Sequence, residues 1–279
     1  MFRAAVLGLL QGLTEFVPVS SSAHLVLVPF LLRWPAPDLS FDVAVHLGTA
    51  LAVIAYFARD LASILAGTSR WAIRRGSPDD ARQARLLGLL AIASIPAGVA
   101  GILLEGLFED LFTGREAVDD IGAPLSALFL LGTAAILWAA EAVYARRDEG
   151  TRRELDDIRL GDAVVVGLFQ ALAIAPGLSR SGATIGAGVF RGLRRDAAAR
   201  FSFLLSIPAI LGAGLVALPD VPPGTDWGPI AMGALVAAVS GFAAIAFLLR
   251  YLRTRTMRPF AVYCVAFAAI ALAYWTQIR

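Results

Sequence analysis

Two short stretches of the 279-residue chain gather the side chains able to do chemistry. Gln11, Glu15, Ser20, Ser21, Ser22 and His24 fall within 14 positions of one another. Gln11 and Glu15 are four apart and share a helix face, and Ser21 and His24, three apart, share a face of the segment that follows. The second stretch carries Gly177, Ser179, Arg180, Ser181 and Thr184 on a proline-glycine turn. Backbone N–H groups at such a turn and at the following helix start favour an anion, phosphate above all. Arg180 adds a planar fork that matches phosphate oxygens. An acid/hydroxyl/imidazole cluster facing an arginine nest is a phosphoryl-transfer constellation. The serines also have a plainer reading as caps of broken helices, which stays open for Ser20 and Ser22. His46, Glu105 and Glu141 read as helix-packing or end-of-span residues.

The elements that hold these residues belong to a membrane. Hydrophobic residues make up 58% of the chain and charged ones only 16%, more apolar surface than a soluble core of this size can hide. All 24 basic residues are arginine, which excludes a catalytic lysine, and the single cysteine, Cys264, excludes an intrachain disulfide framework. Net charge is only +2 and no basic stripe is interleaved with aromatics, so nucleic acid is not expected as a partner. Gln11, Glu15 and Pro18 interrupt the first apolar run and argue against a cleaved leader. Six segments are long enough to cross a bilayer: Phe41–Leu65, Leu86–Phe108, Ala123–Val143, Ala197–Leu218, Gly228–Leu249 and Pro259–Gln277. Ala4–Leu32 and Leu160–Phe190 are broken at Pro18–Ser22 and Pro176–Gly182, each leaving two half-helices too short to span. They are expected to form re-entrant hairpins, with irregular backbone where protein or a wet cavity satisfies it.

Arginine is concentrated in Gly67–Arg85, Tyr144–Arg159, Arg191–Arg200 and Arg250–Arg258, whereas Glu109–Gly122 has one arginine among five acids and Pro219–Trp227 has none. The positive-inside rule places the arginine-rich segments in the cytoplasm and both termini outside. An internal repeat agrees. Gly8-Leu9-Leu10-Gln11-Gly12-Leu13 echoes Gly167-Leu168-Phe169-Gln170-Ala171-Leu172 at an offset of about 160, and both runs lead into proline and then serines. Three spans follow each copy, so the second copy is inverted. The expected fold is therefore an all-α integral membrane protein, one membrane domain over residues 1–279. It is an inverted-topology repeat with halves of approximately 1–146 and 157–279, six transmembrane helices and two re-entrant helix-loop-helix hairpins whose tips meet near the midplane.

At Gln11-Gly12-Leu13-Thr14-Glu15-Phe16-Val17-Pro18-Val19-Ser20-Ser21-Ser22-Ala23-His24 and Pro176-Gly177-Leu178-Ser179-Arg180-Ser181-Gly182-Ala183-Thr184 the chain resembles the undecaprenyl-diphosphate phosphatases, membrane enzymes associated with bacitracin resistance. The resemblance covers essentially the whole chain. It implies a hydrolase of the bacterial plasma membrane that removes the terminal phosphate of undecaprenyl diphosphate and so recycles the lipid carrier of peptidoglycan synthesis. It further implies an outward-facing site, a divalent metal, a prenyl diphosphate lipid as substrate, surrounding membrane lipid and a homodimer. On this reading Arg180, Ser179, Ser181, Thr184, Gly177 and the hydroxyls of Ser20 and Ser22 bind the diphosphate. Glu15 with Gln11 holds Mg²⁺ or Ca²⁺, ions that take oxygen ligands. Ser21 is the nucleophile and His24 its base, or His24 or Glu15 activates water directly. Many members carry glutamate where this chain has Gln11, so Glu15 supplies the carboxylate alone. The rival reading is a polyprenyl-phosphate flippase or secondary transporter, which uses the same inverted repeats and midplane polar groups.

Overall fold

The computed structural model describes residues 1–112, 118–217 and 226–278, without the side chains of 105–112, 119, 120 and 278. Among the described residues the chain is helical, with one isolated bridge between Arg153 and Leu193 and no strand. The α-helices are α1 (Phe2–Phe16), α2 (Ser21–Leu32), α3 (Leu39–Tyr56), α4 (Ala58–Ala72), α5 (Pro78–Phe112), α6 (Ala123–Ala145), α7 (Leu160–Leu172), α8 (Arg180–Phe190), α9 (Arg195–Ala217), α10 (Trp227–Leu252) and α11 (Arg258–Ile278). Six of them, α3, α5, α6, α9, α10 and α11, are long and apolar enough to cross a membrane. Large apolar side chains such as Leu51, Ile102, Leu215 and Val239 stand exposed on these helices, the surface a lipid-facing protein presents. Of the expected arginine-poor segments, Glu109–Gly122 is described only in part, at 109–112 and 118–122 and with few of its side chains, and Pro219–Trp227 falls largely outside the described residues.

One expected span is divided in the structure. Phe41–Leu65 is not a single span, because α3 stops at Tyr56 and α4 starts at Ala58. The apolar run continues through this point, but Arg59 and Asp60 follow it, and Asp60 pairs with Arg200 at 2.9 Å. The pair ties the start of α4 to α9. Helix α4 then lies on α5, with Arg70 held to Asp80 at 2.6 Å. Much of the arginine-rich stretch Gly67–Arg85 is therefore helical.

The four arginine-rich segments meet at one end of the molecule. Arg85 donates to the carbonyl of Ile158 at 2.5 Å. The Arg153 N–H bonds the Gly192 carbonyl, and the Arg194 N–H bonds the Arg153 carbonyl, each at 2.9 Å. Arg195 grips Glu141 through two bonds of 2.7 and 2.5 Å, and Glu141 also accepts from the Met257 N–H at 2.9 Å. Glu141 is thus an end-of-span residue with a definite task, joining α6, α9 and α11. Asp162, at the start of α7, accepts from Arg153 at 2.6 Å and Arg191 at 2.8 Å. Burial alone would raise its carboxyl. The donors from Arg153, from the Arg159 backbone and from Arg191 outweigh burial and hold it at about 2.

Both broken stretches are pairs of helices joined by a non-helical tip. Ser20 caps α2, accepting from the Ala23 N–H at 3.3 Å, with its own φ at 66°. Ser179 caps α8, accepting from the Gly182 N–H at 3.0 Å. The proline-glycine turn needs its glycine: Gly177 has φ 110°, and a Cβ there would collide with the Ser126 carbonyl. Small residues also let the first helix of each pair sit close on a partner. Gly8 and Gly12 of α1 meet the backbone of α10 at Gly233 and Ala237, and Gly167 of α7 meets α5 at Ala93.

Candidate active site

The two tips touch. The Gly177 N–H donates to Ser22 Oγ at 3.3 Å, and Ser181 Oγ donates to the Val17 carbonyl at the same distance. Helix α6 braces the second tip, where Thr133 Oγ1 accepts from the Ser179 N–H at 2.8 Å and donates to the Gly177 carbonyl at 3.1 Å. Helix α11 lies against the first tip, with Cys264 buried beside the Pro18 carbonyl.

Glu15 lies at the centre of this junction, its side chain 6% exposed. Its Oε1 accepts from Arg180 at 2.6 Å. Its Oε2 accepts from Ser21 Oγ at 2.5 Å and from Gln11 Nε2 at 3.0 Å. One carboxylate therefore gathers an arginine from the second tip and a serine hydroxyl from the first. The arginine bond is charge-assisted and the serine bond short, the strong class of hydrogen bond. Helix periodicity explains the Gln11 contact, since positions four apart face the same way.

The other expected site residues divide. Ser20 and Ser179 are spent mainly as caps, each with a second hydroxyl nearby: Ser20 Oγ to Ser22 Oγ and Ser179 Oγ to Ser181 Oγ, both at 3.1 Å. Thr184 is 1% exposed, donates to the Arg180 carbonyl at 2.8 Å and pairs with Ser202 Oγ at 2.6 Å. It braces the start of α8 rather than facing Glu15.

His24 is turned away from Ser21. Its Nδ1 is 2.7 Å from the Ser20 carbonyl, which can only accept, so Nδ1 carries the proton. Its Nε2 is then the acceptor for the Tyr263 hydroxyl at 2.7 Å. The ring stacks on Phe267 with centroids 4.7 Å apart, and His24 is 1% exposed. Both nitrogens are committed, and Ser21 donates to Glu15 instead. The expected Ser21–His24 pair does not form because an aromatic slot on α11 sets the imidazole's direction.

His46 was read from sequence as a packing residue, and the structure brings it to the cluster. Its Nε2 stands 3.9 Å from Glu15 Oε2, with a third of the His46 side chain exposed. Nothing in local spacing signals this, since α3 reaches Glu15 only through the tertiary fold. The pair Asp42 and His46, four apart in the first turns of α3, was the available hint. Glu105 has its side chain outside the described residues.

For a divalent ion, Glu15 Oε2 and Gln11 are the relevant donors. Gln11 is fully buried, and its Oε1 has no hydrogen-bond partner among the described residues. A buried carbonyl oxygen without a donor beside a carboxylate is a fit for a hard cation. Among the described residues no three of His, Cys, Asp and Glu converge on one point, so any ion here relies on the amide as well.

Residues 4–270 match the family described as bacitracin resistance protein BacA. The chain belongs to that family. Relatives named undecaprenyl-diphosphatase align along almost the whole length. That of Moorella thermoacetica is 44% identical over 279 residues, covering 99% of both chains. That of Thermomicrobium roseum is 44% identical over 277 residues, covering 98% of this chain and 97% of its own. That of Alcanivorax borkumensis is 46% identical over 280 residues, covering 98% of each. Membership in the family and the six apolar helices make this a multi-pass membrane protein.

Proposed function

We propose that the chain hydrolyses undecaprenyl diphosphate to undecaprenyl phosphate and inorganic phosphate, at a site facing the outside of the bacterial plasma membrane. The observation that carries the reading is Glu15 bonded at once to Ser21 and to Arg180 across the two tips. Phosphoryl transfer asks a protein chiefly for positioning and charge neutralisation. A phosphate would compete with Glu15 for the Arg180 guanidinium and take donors from the tip. Ser21 Oγ would then bond the terminal phosphorus as the bond to the bridging oxygen breaks, its proton passing to Glu15. Water releases the phosphate from Ser21 in a second step. In the alternative Glu15 activates water directly, and Ser21 only orients it. His24 is assigned a positioning role here, holding the Ser20 carbonyl and with it the start of α2.

Glu15 and Gln11 would hold the divalent ion, Mg²⁺ or Ca²⁺, and the bound ion would neutralise charge on the transferring phosphoryl group. In the membrane, α1–α2 and α7–α8 are assigned as re-entrant hairpins of an inverted repeat. Two features support this. The arginine-rich segments share one end, and each hairpin is braced by helices of the opposite half: α1 by α10 and α7 by α5. The homodimer and the bound membrane lipid implied by the resemblance belong to the same proposal. Purified protein in detergent should release phosphate from farnesyl diphosphate. Detergent solution has one compartment, so release there separates hydrolysis from transport, and its absence under any divalent metal overturns the reading. Ser21→Ala decides between the two routes: near-normal turnover leaves only direct water attack.

A further inference from the structure

The chain has two histidines, and they are wired alike at one nitrogen and oppositely at the other. His46 Nδ1 lies 2.8 Å from the Asp42 carbonyl, an acceptor only, so Nδ1 carries a proton and, in the neutral imidazole, Nε2 presents its lone pair. His24 has its Nε2 satisfied by the Tyr263 hydroxyl. His46 Nε2 accepts no hydrogen bond among the described residues and faces Glu15 Oε2 at 3.9 Å. Two acceptors then face each other across a gap too long for a direct hydrogen bond. A cation between them relieves that repulsion. Two ligand bonds of about 2.1 Å place their donor atoms at most about 4.2 Å apart, a span that admits the observed separation. A ring N–H given to a backbone carbonyl is also how metal-binding histidines are ordinarily oriented. Gln11 Oε1, buried and without a partner, sits on the amide that touches the same carboxylate oxygen.

We infer that His46 Nε2 is a ligand of the divalent ion, completing a site with Glu15 Oε2 and Gln11 Oε1. This rests on the reading above that Glu15 holds a metal, and it extends that reading. The imidazole takes the place of a second carboxylate: where Gln11 brings an oxygen but no charge, His46 brings a stronger neutral donor. A mixed oxygen and nitrogen set also discriminates between ions. Mg²⁺ and Ca²⁺ prefer oxygen alone, while imidazole favours transition ions, so this site should bind Mn²⁺ more tightly than Ca²⁺.

The test is binding rather than turnover. Metal-free full-length protein carrying no histidine tag is titrated with Mn²⁺ in detergent, and the bound ion is examined by electron spin echo envelope modulation. The parent protein should show the ¹⁴N modulation of a directly bound imidazole. His46→Gln, which keeps the volume and an oxygen donor, should lose that modulation and shift preference toward Ca²⁺. His46→Ala should raise the Mn²⁺ Kd at least about tenfold. If His46→Ala does not fold, His46→Gln decides alone. Should Mn²⁺ bind Glu15→Gln as tightly as the parent, the metal reading of Glu15 fails. Should binding require Glu15 yet show no imidazole nitrogen and survive His46→Ala unchanged, only the assignment of His46 is overturned.

Discussion

Glu15 and Arg180 provide the sharpest test of the site, because their pairing has a structural and a chemical consequence that separate on mutation. The two side chains meet at 2.6 Å, with Glu15 6% and Arg180 17% exposed. Removing one member of such a buried pair strands the other and typically costs about 3–5 kcal/mol. Glu15→Gln should fall in that range, because its amide would also set N–H groups against Gln11 Nε2 or the Arg180 guanidinium. Arg180→Met, which strands Glu15, should cost as much. The double variant Glu15→Gln, Arg180→Met leaves no buried charge, so its stability should recover by at least about 1 kcal/mol relative to the sum of the singles. Activity should not recover. Each single variant should lose two decades or more of phosphate release, as groups acting in acid–base or charge-stabilising roles do, and the double should remain as low. The assays are thermal unfolding in detergent and phosphate release from farnesyl diphosphate. Additive stability losses, or either single variant turning over at the parental rate, would refute the reasoning that one carboxylate links the two tips.

Three further outcomes are expected. Asp162 has its carboxyl depressed from 3.8 to about 2, so its contribution is complete above about pH 4 and disappears as pH falls toward 2; Asp162→Asn should lower the melting temperature at neutral pH and flatten that acid limb, and an unchanged limb counts against it. Gly177→Ala forces an L side chain onto φ 110° and into the Ser126 carbonyl, so it should cost at least about 2 kcal/mol in unfolding and most of the activity, whereas Gly98→Ala, where an added methyl meets nothing within 4 Å, should leave both near parental levels. His24→Asn can keep a donor to the Ser20 carbonyl but loses the aromatic stack, so it should reduce turnover by less than Ser21→Ala does; equal losses would restore His24 to the chemistry.

How much of this was legible in the sequence depends on whether the deciding contact is local. Apolar length, the arginine asymmetry and the Pro18 and Pro176 breaks set the helices, because helix formation, bilayer thickness and proline geometry act over a few turns of chain. The Gln11–Glu15 contact was legible for the same reason. The direction of an imidazole was not. His24 is three residues from Ser21, yet it follows Tyr263 and Phe267, 239 and 243 positions away. His46 reaches Glu15 only because α3 and α1 both pack against α10, a choice made by close small-residue contacts such as Gly48 at Ala234 and Gly8 at Gly233. The break between α3 and α4 at Phe57 was not legible, because the apolar run continues through it and the partner of Asp60 in α4, Arg200, arrives from α9. Sequence alone determined the membrane class, the two tips and the residues they display. Tertiary structure decided which of those residues share an oxygen, because periodicity constrains a single helix, while the orientation of side chains between helices depends on partners distant in the chain.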